Sequence, residues 1–272
     1  MIRVEHWNED RSLLLAESKS GIRVTRHPLE NLVRHVAGPW PPPEILQKLY
    51  ASTRFSGRTA EDDEGARSGL GYYCDLQSMN SEDAVTWSFF GTLAYMSPSD
   101  RNHVCARLFV EMGLALPGGD VTVWLWRRIP HPEKPESSGG PEIDFGFLSP
   151  DTIILGEGKW NSSLGTGQGV NKDRSQLDLR LAYCDRLVPR LLPGIGQRIV
   201  LGIGRTNTLL PSLTTALGTR VHNLSWSTIV ACFEPPLADE LRRYLKWRDR
   251  YASPVAKHRA ATDRQGPRSG LP

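Results

Sequence analysis

The sequence has little of what marks several large protein classes. Its four cysteines, Cys74, Cys105, Cys184 and Cys232, are widely spaced and form no CxxC pair. That usage argues against a disulfide framework or a zinc knuckle and makes a reducing cytoplasm the expected compartment. No apolar run approaches the roughly 18 residues that a membrane span needs, so no membrane association is expected. Residues 1–10 carry charges and no apolar block, unlike a secretory leader. The seven histidines are scattered without an HExxH pair, and no GxSxG elbow is present. Zinc-peptidase and serine-hydrolase chemistry therefore lack their signatures. No internal repeat is visible.

An excess of one charge is also nearly absent, with 33 basic and 30 acidic residues. Lys257, Arg259, Arg264 and Arg268 against Asp263 place the whole net charge of +3 in residues 251–272. That segment, rich in Pro, Gly, Ser and Ala, reads as a flexible basic tail. It is either a solvated extension or a contact to nucleic-acid phosphate.

What is present suits a buried core. The 272 residues, 39% apolar, are enough for one large domain or two small ones. Residues 1–78 read as an N-terminal extension or small module. Short strands are expected at 2–4 and 22–25, helical spacing covers 29–36, and Trp40-Pro41-Pro42-Pro43 leads into a short helix over 44–50. Residues 56–69 read as a polar loop.

Residues 79–250 read as the main core. Asn80-Ser81 before Glu82-Asp83 is a helix start, followed by Val85, Phe89, Leu93 and Met96 at helical spacing. A second helix is expected over 103–114. Strands are expected over 121–126, 142–148 and 152–160, the last two joined by a turn at Ser149-Pro150-Asp151. In 142–148, Ile143, Phe145 and Phe147 are expected on one face and Glu142 and Asp144 on the other. A glycine-rich loop over 162–169 leads to a helix over 173–188, then strands at 198–203 and 221–226 and a last helix at 237–251. This order gives an α/β fold, a central mixed β-sheet flanked by helices.

Three features of this core point to chemistry. Asp144 lies about six residues before the turn at 149–151 and Glu157 about six after it, so a hairpin sets the two side by side. Paired carboxylates repel, and a hard divalent cation removes that cost. Lys159, two residues beyond Glu157, shares its strand face, where it can hold a phosphate or orient water. Glu82 either complements the helix dipole or joins the site, and its spacing with Val85 and Phe89 tilts it toward the buried stripe.

Asp144 with Glu157-Gly158-Lys159 resembles the PD-(D/E)XK nuclease superfamily over roughly residues 81–203. Glu82 is similar to the acid that such proteins often carry on their first core helix. The resemblance implies a restriction-endonuclease-like core and magnesium-dependent cleavage of phosphodiester bonds, with manganese as a substitute and DNA ahead of RNA. It implies metal ligation by Asp144, Glu157, the Gly158 carbonyl and Glu82, with Lys159 positioning water or phosphate. One departure concerns the QxxxY element that some members carry on the next helix. Here Gln176 is followed by Arg180 at four residues and Tyr183 at seven, all on one helical face. Gln176 is thus a secondary site candidate and Tyr183 a weaker one. Lys172, Arg174 and Arg180 are expected to track a nucleic-acid backbone. The competing reading is a catalytically silent nuclease-like fold that binds nucleic acid or protein. A homodimer, or a defence-system partner bound through residues 1–78, follows from family analogy alone.

Overall fold

The computed structural model describes residues 1–17, 21–35, 38–54, 74–136, 140–162 and 174–252. The loop expected over 56–69, most of the glycine-rich loop, Lys172 and nearly all of the basic tail lie outside them.

The chain opens with β1 (Ile2–Glu5), β2 (Ser12–Glu17) and β3 (Arg23–Thr25), a three-stranded antiparallel sheet. Strand β2 was not expected, because Leu13-Leu14-Leu15-Ala16 carries no β-branched signal; pairing with β1 and β3 imposes the extended form. Helical spacing over 29–36 yields only a 3-10 turn, Pro28–Asn31. Leu32 then leaves the helix at φ −129°, and the Val33 amide donates to Ser88 Oγ at 3.1 Å instead of to its own helix. α1 (Pro43–Arg54) follows.

The expected helix from residue 80 is interrupted. α2 (Glu82–Thr86) runs into a π-helical segment, Trp87–Gly91, and then α3 (Thr92–Ala94). Ser81 caps α2 by accepting from the Ala84 amide at 3.0 Å. A Cβ at Gly91 would lie 2.4 Å from the Trp87 ring, so only glycine fits under that indole. Next come α4 (Pro98–Glu111), β4 (Thr122–Arg128), β5 (Glu142–Leu148), β6 (Thr152–Gly158), α5 (Gln176–Arg186), α6 (Val188–Leu191), β7 (Gln197–Gly204), β8 (Arg220–Ser225), α7 (Trp226–Cys232) and α8 (Leu237–Tyr251).

The main sheet is five-stranded and mixed, in the order β4-β5-β6-β7-β8. β4, β5 and β6 pair antiparallel, whereas β6, β7 and β8 run parallel. Its two faces bury separate cores. One packs Phe145, Phe147, Ile154 and Leu201 against α2 to α4, α7, α8 and the N-terminal sheet. The other packs Ile153, Leu155, Val200 and Val221 against Leu177, Cys184 and Val188 of α5 and α6. The chain is therefore α/β, with a mixed sheet flanked by helices on both faces. All four cysteines are buried free thiols. No described helix is long and apolar enough to cross a membrane.

One expected alternation fails. Phe145 and Phe147 belong to the first core, but Ile143 belongs to the second. The change of side happens at Asp144. Opposite it, between the pairs Leu125↔Phe145 and Arg127↔Ile143, Trp126 takes a left-handed backbone at φ 50°. A bulky residue there is a local distortion of both strands, and it sits beside the acidic cluster described next.

Candidate active site

The carboxyl end of β6 gathers the acids. Pairing of β5 with β6 runs from Leu148↔Ile153 to Phe145↔Gly156, so continued register sets Asp144 across from Glu157. At that point the Asp144 side chain takes over from the ladder: its Oδ2 accepts from the Gly158 amide at 2.9 Å. Gly158 is required on its other side too. A Cβ there would stand 2.8 Å from Thr86 Oγ1 and 3.3 Å from the Trp226 ring, so its hydrogen lets α2 approach β6. That approach brings in Glu82.

Lys159 binds the cluster together. Its Nζ donates to Glu157 Oε1 at 2.8 Å and to Glu82 Oε2 at 2.9 Å. Glu82 Oε1 also accepts from the Trp160 amide at 3.3 Å and from Ser162 Oγ. The Lys159 carbonyl accepts from Trp226 Nε1 at 2.9 Å, which fixes the strand end against α7. Glu157 is only 2% exposed, and its Oε2 pairs with Arg180, itself 1% exposed. Arg180 also donates to the Glu142 carbonyl at 3.2 Å.

The charges are unequal in comfort. Burial, and then the neighbouring Glu157 carboxylate, raise the Asp144 carboxyl to about 8, outweighing Lys159, Arg180 and the Gly158 amide. No salt bridge joins Asp144 to a cation among the described residues. Burial draws the Lys159 ammonium down, but Glu157, Asp144 and Glu82 more than offset it, so the lysine is held above its ordinary value.

The cluster opens into a cleft of about 490 Å³. Asp75, Glu82, Asp83, Glu142 and Asp144 line it against Lys48 and Lys159. Lys48, from α1, bridges Asp83 at 3.0 Å and Glu142 at 3.1 Å, and lies over the Trp126 ring at 4.7 Å. No protein-family model, curated protein or solved structure matches the chain.

Sequence reasoning pointed to Asp144, Glu157, Lys159, Gly158 and Glu82, and the structure brings them together. Arg180 is a correction. It was expected on a nucleic-acid backbone, but it lies in the interior, where a buried carboxylate demands a partner. Arg174 pairs with Glu133 at 2.7 Å, away from the cleft lining. Tyr183 packs in the second core. Gln176 begins α5 with its Oε1 buried and unpartnered, and no hydrogen bond links that oxygen to the cluster. Lys48 was missed, since nothing local in α1 signals that it reaches Asp83 and Glu142.

Among the described residues, no three His, Cys, Asp or Glu side chains are arranged as a metal site. The donor chemistry at Asp144 nonetheless fits a hard cation. Burial first and the neighbouring Glu157 carboxylate second disfavour the Asp144 charge, a cost that a hard cation would offset, and magnesium needs only one or two carboxylates with waters and substrate oxygens completing its shell.

Proposed function

We propose that the chain is a metal-dependent nuclease with a restriction-endonuclease-like core, hydrolysing phosphodiester bonds in DNA ahead of RNA. One observation carries this reading: Asp144 beside Glu157, with Lys159 and Glu82, at the open carboxyl end of β6. The likeness of Asp144 and Glu157-Gly158-Lys159 to the PD-(D/E)XK pattern supports it, as does a sheet that changes from antiparallel to parallel pairing at β6.

Asp144 and Glu157 would hold magnesium or manganese, with the Gly158 carbonyl and Glu82 assisting. When bound, the cation supplies an acidified water and counters charge on the phosphoryl oxygens. Lys159, whose ammonium is favoured by Glu157, Asp144 and Glu82, would orient water or phosphate and offset transition-state charge. Glu82 holds Lys159 from the helix side, and Arg180 orients Glu157 from below. Catalysis by such fixed charges needs little motion at the moment of reaction.

Plasmid and oligonucleotide cleavage with and without magnesium tests this. Wild-type protein should cut only with added metal. Asp144→Asn should abolish cutting with circular dichroism unchanged, and Lys159→Ala should slow it by about 10²–10³-fold. Cutting by Asp144→Asn at the wild-type rate rules out the assignment.

A second reading, a nucleic-acid-binding module that does not cut, draws on a specific observation. Both Glu157 oxygens already carry a cation, Lys159 on one and Arg180 on the other. It predicts retention of nucleic acid with no cleavage of any DNA or RNA form in magnesium or manganese.

A further inference from the structure

A second cleft, of about 570 Å³, opens on the other side of Lys159. It lies where β6 and β7 run parallel and end together: the Lys159 amide donates to the Ile203 carbonyl at 2.8 Å, and the segments following Gly158 and Gly204 then form its walls. Crevices beyond the carboxyl ends of parallel strands are recurrent ligand sites. Lys159, Asn161 and Ser162 line both clefts, so the two form one groove.

The two halves differ in charge. The half around Asp144 is lined by five carboxylates. Among its described lining residues the second half has none; it presents Arg205, Lys159, Asn161 and the hydroxyls of Ser162, Thr206 and Thr208. Arg205 is fixed at the wall. Its guanidinium lies 5.0 Å over the Trp160 ring and donates to Asn161 Oδ1 at 3.0 Å. Its remaining partner, Asp249, is reached at 2.6 Å, and both side chains are nearly half exposed. An ion pair so open to water is easily exchanged for another anion. Thr206 and Thr208 hydroxyls lie 3.0 Å apart, one donating to the other, which leaves one hydroxyl hydrogen of the pair for an outside acceptor.

We infer that this second cleft is a phosphate subsite. It holds the internal phosphodiester next to the one placed at Asp144 and Lys159, with Arg205 as its charged contact and the hydrogen-bonded Thr206–Thr208 hydroxyl pair as its neutral donor. The inference rests on the nuclease reading and deepens it, since it gives the substrate strand a direction across the sheet end. It also assigns backbone recognition to the loop after β7, whereas the sequence placed it on Lys172, Arg174 and Arg180. Contacts of this kind set register along a strand without reading bases. The expected substrate is accordingly a polynucleotide strand with little sequence preference at this position.

Steady-state cleavage of a labelled oligonucleotide at several salt concentrations, with magnesium, tests it. Arg205→Ala should raise KM about tenfold, with most of the loss in KM rather than kcat. It should also lower the slope of log(kcat/KM) against log salt by about one phosphate contact. Arg205→Lys should recover part of the loss. Thr206→Val with Thr208→Val should raise KM about threefold without changing the salt slope. Asp249→Asn removes the ion pair and keeps the cation, so it should match wild type or bind more tightly. If Asp249→Asn reproduces the Arg205→Ala loss, Arg205 acts through structure and the subsite is overturned. The same holds if Arg205→Ala keeps the wild-type KM and salt slope while wild type cuts. A loss confined to oligonucleotides bearing a terminal phosphate overturns the internal-diester assignment. If wild type neither cuts nor binds any nucleic acid, the nuclease reading itself fails and takes the subsite with it. Should Arg205→Ala lose its cooperative melt, Arg205→Lys and the threonine pair decide.

Discussion

Asp144 occupies a position where, without a cation, its charge is unwelcome. Its carboxyl is raised to about 8 by burial and by Glu157, whereas in an unfolded chain it ionises near 3.9. The folded state therefore keeps a proton that the unfolded state gives up. Between about pH 4 and pH 8 this lowers stability progressively; the penalty is absent below that window and complete above it. Asp144→Asn removes the group. Metal-free Asp144→Asn should melt at least about 3 °C above wild type near pH 9 and converge with it near pH 4, as calorimetry would show. Added magnesium should then raise the wild-type Tm near pH 9 and leave the variant unmoved. A variant that melts below wild type near pH 9 would mean that the carboxylate is satisfied already. Glu157 poses the opposite case, a buried acid whose charge is matched. Arg180→Ala removes one of its two cations and leaves only Lys159, which should cost about 1–3 kcal/mol, and Arg180→Met with Glu157→Gln should recover much of it in a double-mutant cycle.

Between elements, the site depends on how closely α2 approaches β6. Gly158→Ala pushes a methyl group toward Thr86 Oγ1 and the Trp226 ring, and should destabilise by about 1–3 kcal/mol. Thr86→Ala in the same chain removes the nearer obstacle and should restore at least half of the loss; no recovery in denaturant titration would place the strain elsewhere. This contact also shows what a sequence reveals. Asp144 and Glu157 were legible because hairpin partners lie equally far from their turn, and Lys159 because a strand repeats every two residues. Glu82 was legible from its place on an apolar stripe. The reversal at Asp144 was not, because the left-handed Trp126 opposite it belongs to another strand and leaves no pattern in residues 142–148. Arg180 was misread for a related reason. An arginine on a helix after a glycine-rich loop looks solvated until a carboxylate is known to lie beneath it. Arg205 gave no signal, since its loop has neither period nor motif.

Across the whole molecule, a single guanidinium ties three regions together. Arg248 of α8, fully buried, donates to Asn31 Oδ1 at 2.8 Å, to Met79 and Ser81 carbonyls at 2.7 and 2.8 Å, and to Tyr244 Oη at 3.1 Å. Ser81 caps the helix that carries Glu82, so the first and last parts of the chain jointly set the entrance to the cleft. Around Arg248, Tyr244 Oη donates to the Asn31 carbonyl at 2.9 Å and Trp247 Nε1 to the Glu5 carbonyl at 2.8 Å. Val4, Trp7, Leu13, Leu15, Leu32, Val33 and Ile45 are buried in the same core as Tyr244 and Trp247. Each large apolar side chain contributes about 1.5–3 kcal/mol on burial, so losing these contacts exceeds the roughly 5–15 kcal/mol by which a domain is stable. Arg248→Met, which keeps the volume and the apolar packing, should leave a folded protein weakened by about 3–5 kcal/mol because Asn31 and the two carbonyls lose their donor. A chain beginning at residue 74 should fare worse: no cooperative melt, exposed apolar surface that binds a hydrophobic dye, and aggregation on concentration. A cooperative transition within a few degrees of the full chain would instead show that β1 to β3 and α1 are dispensable to the core, and that Lys48 reaches the acidic cleft from an independent unit.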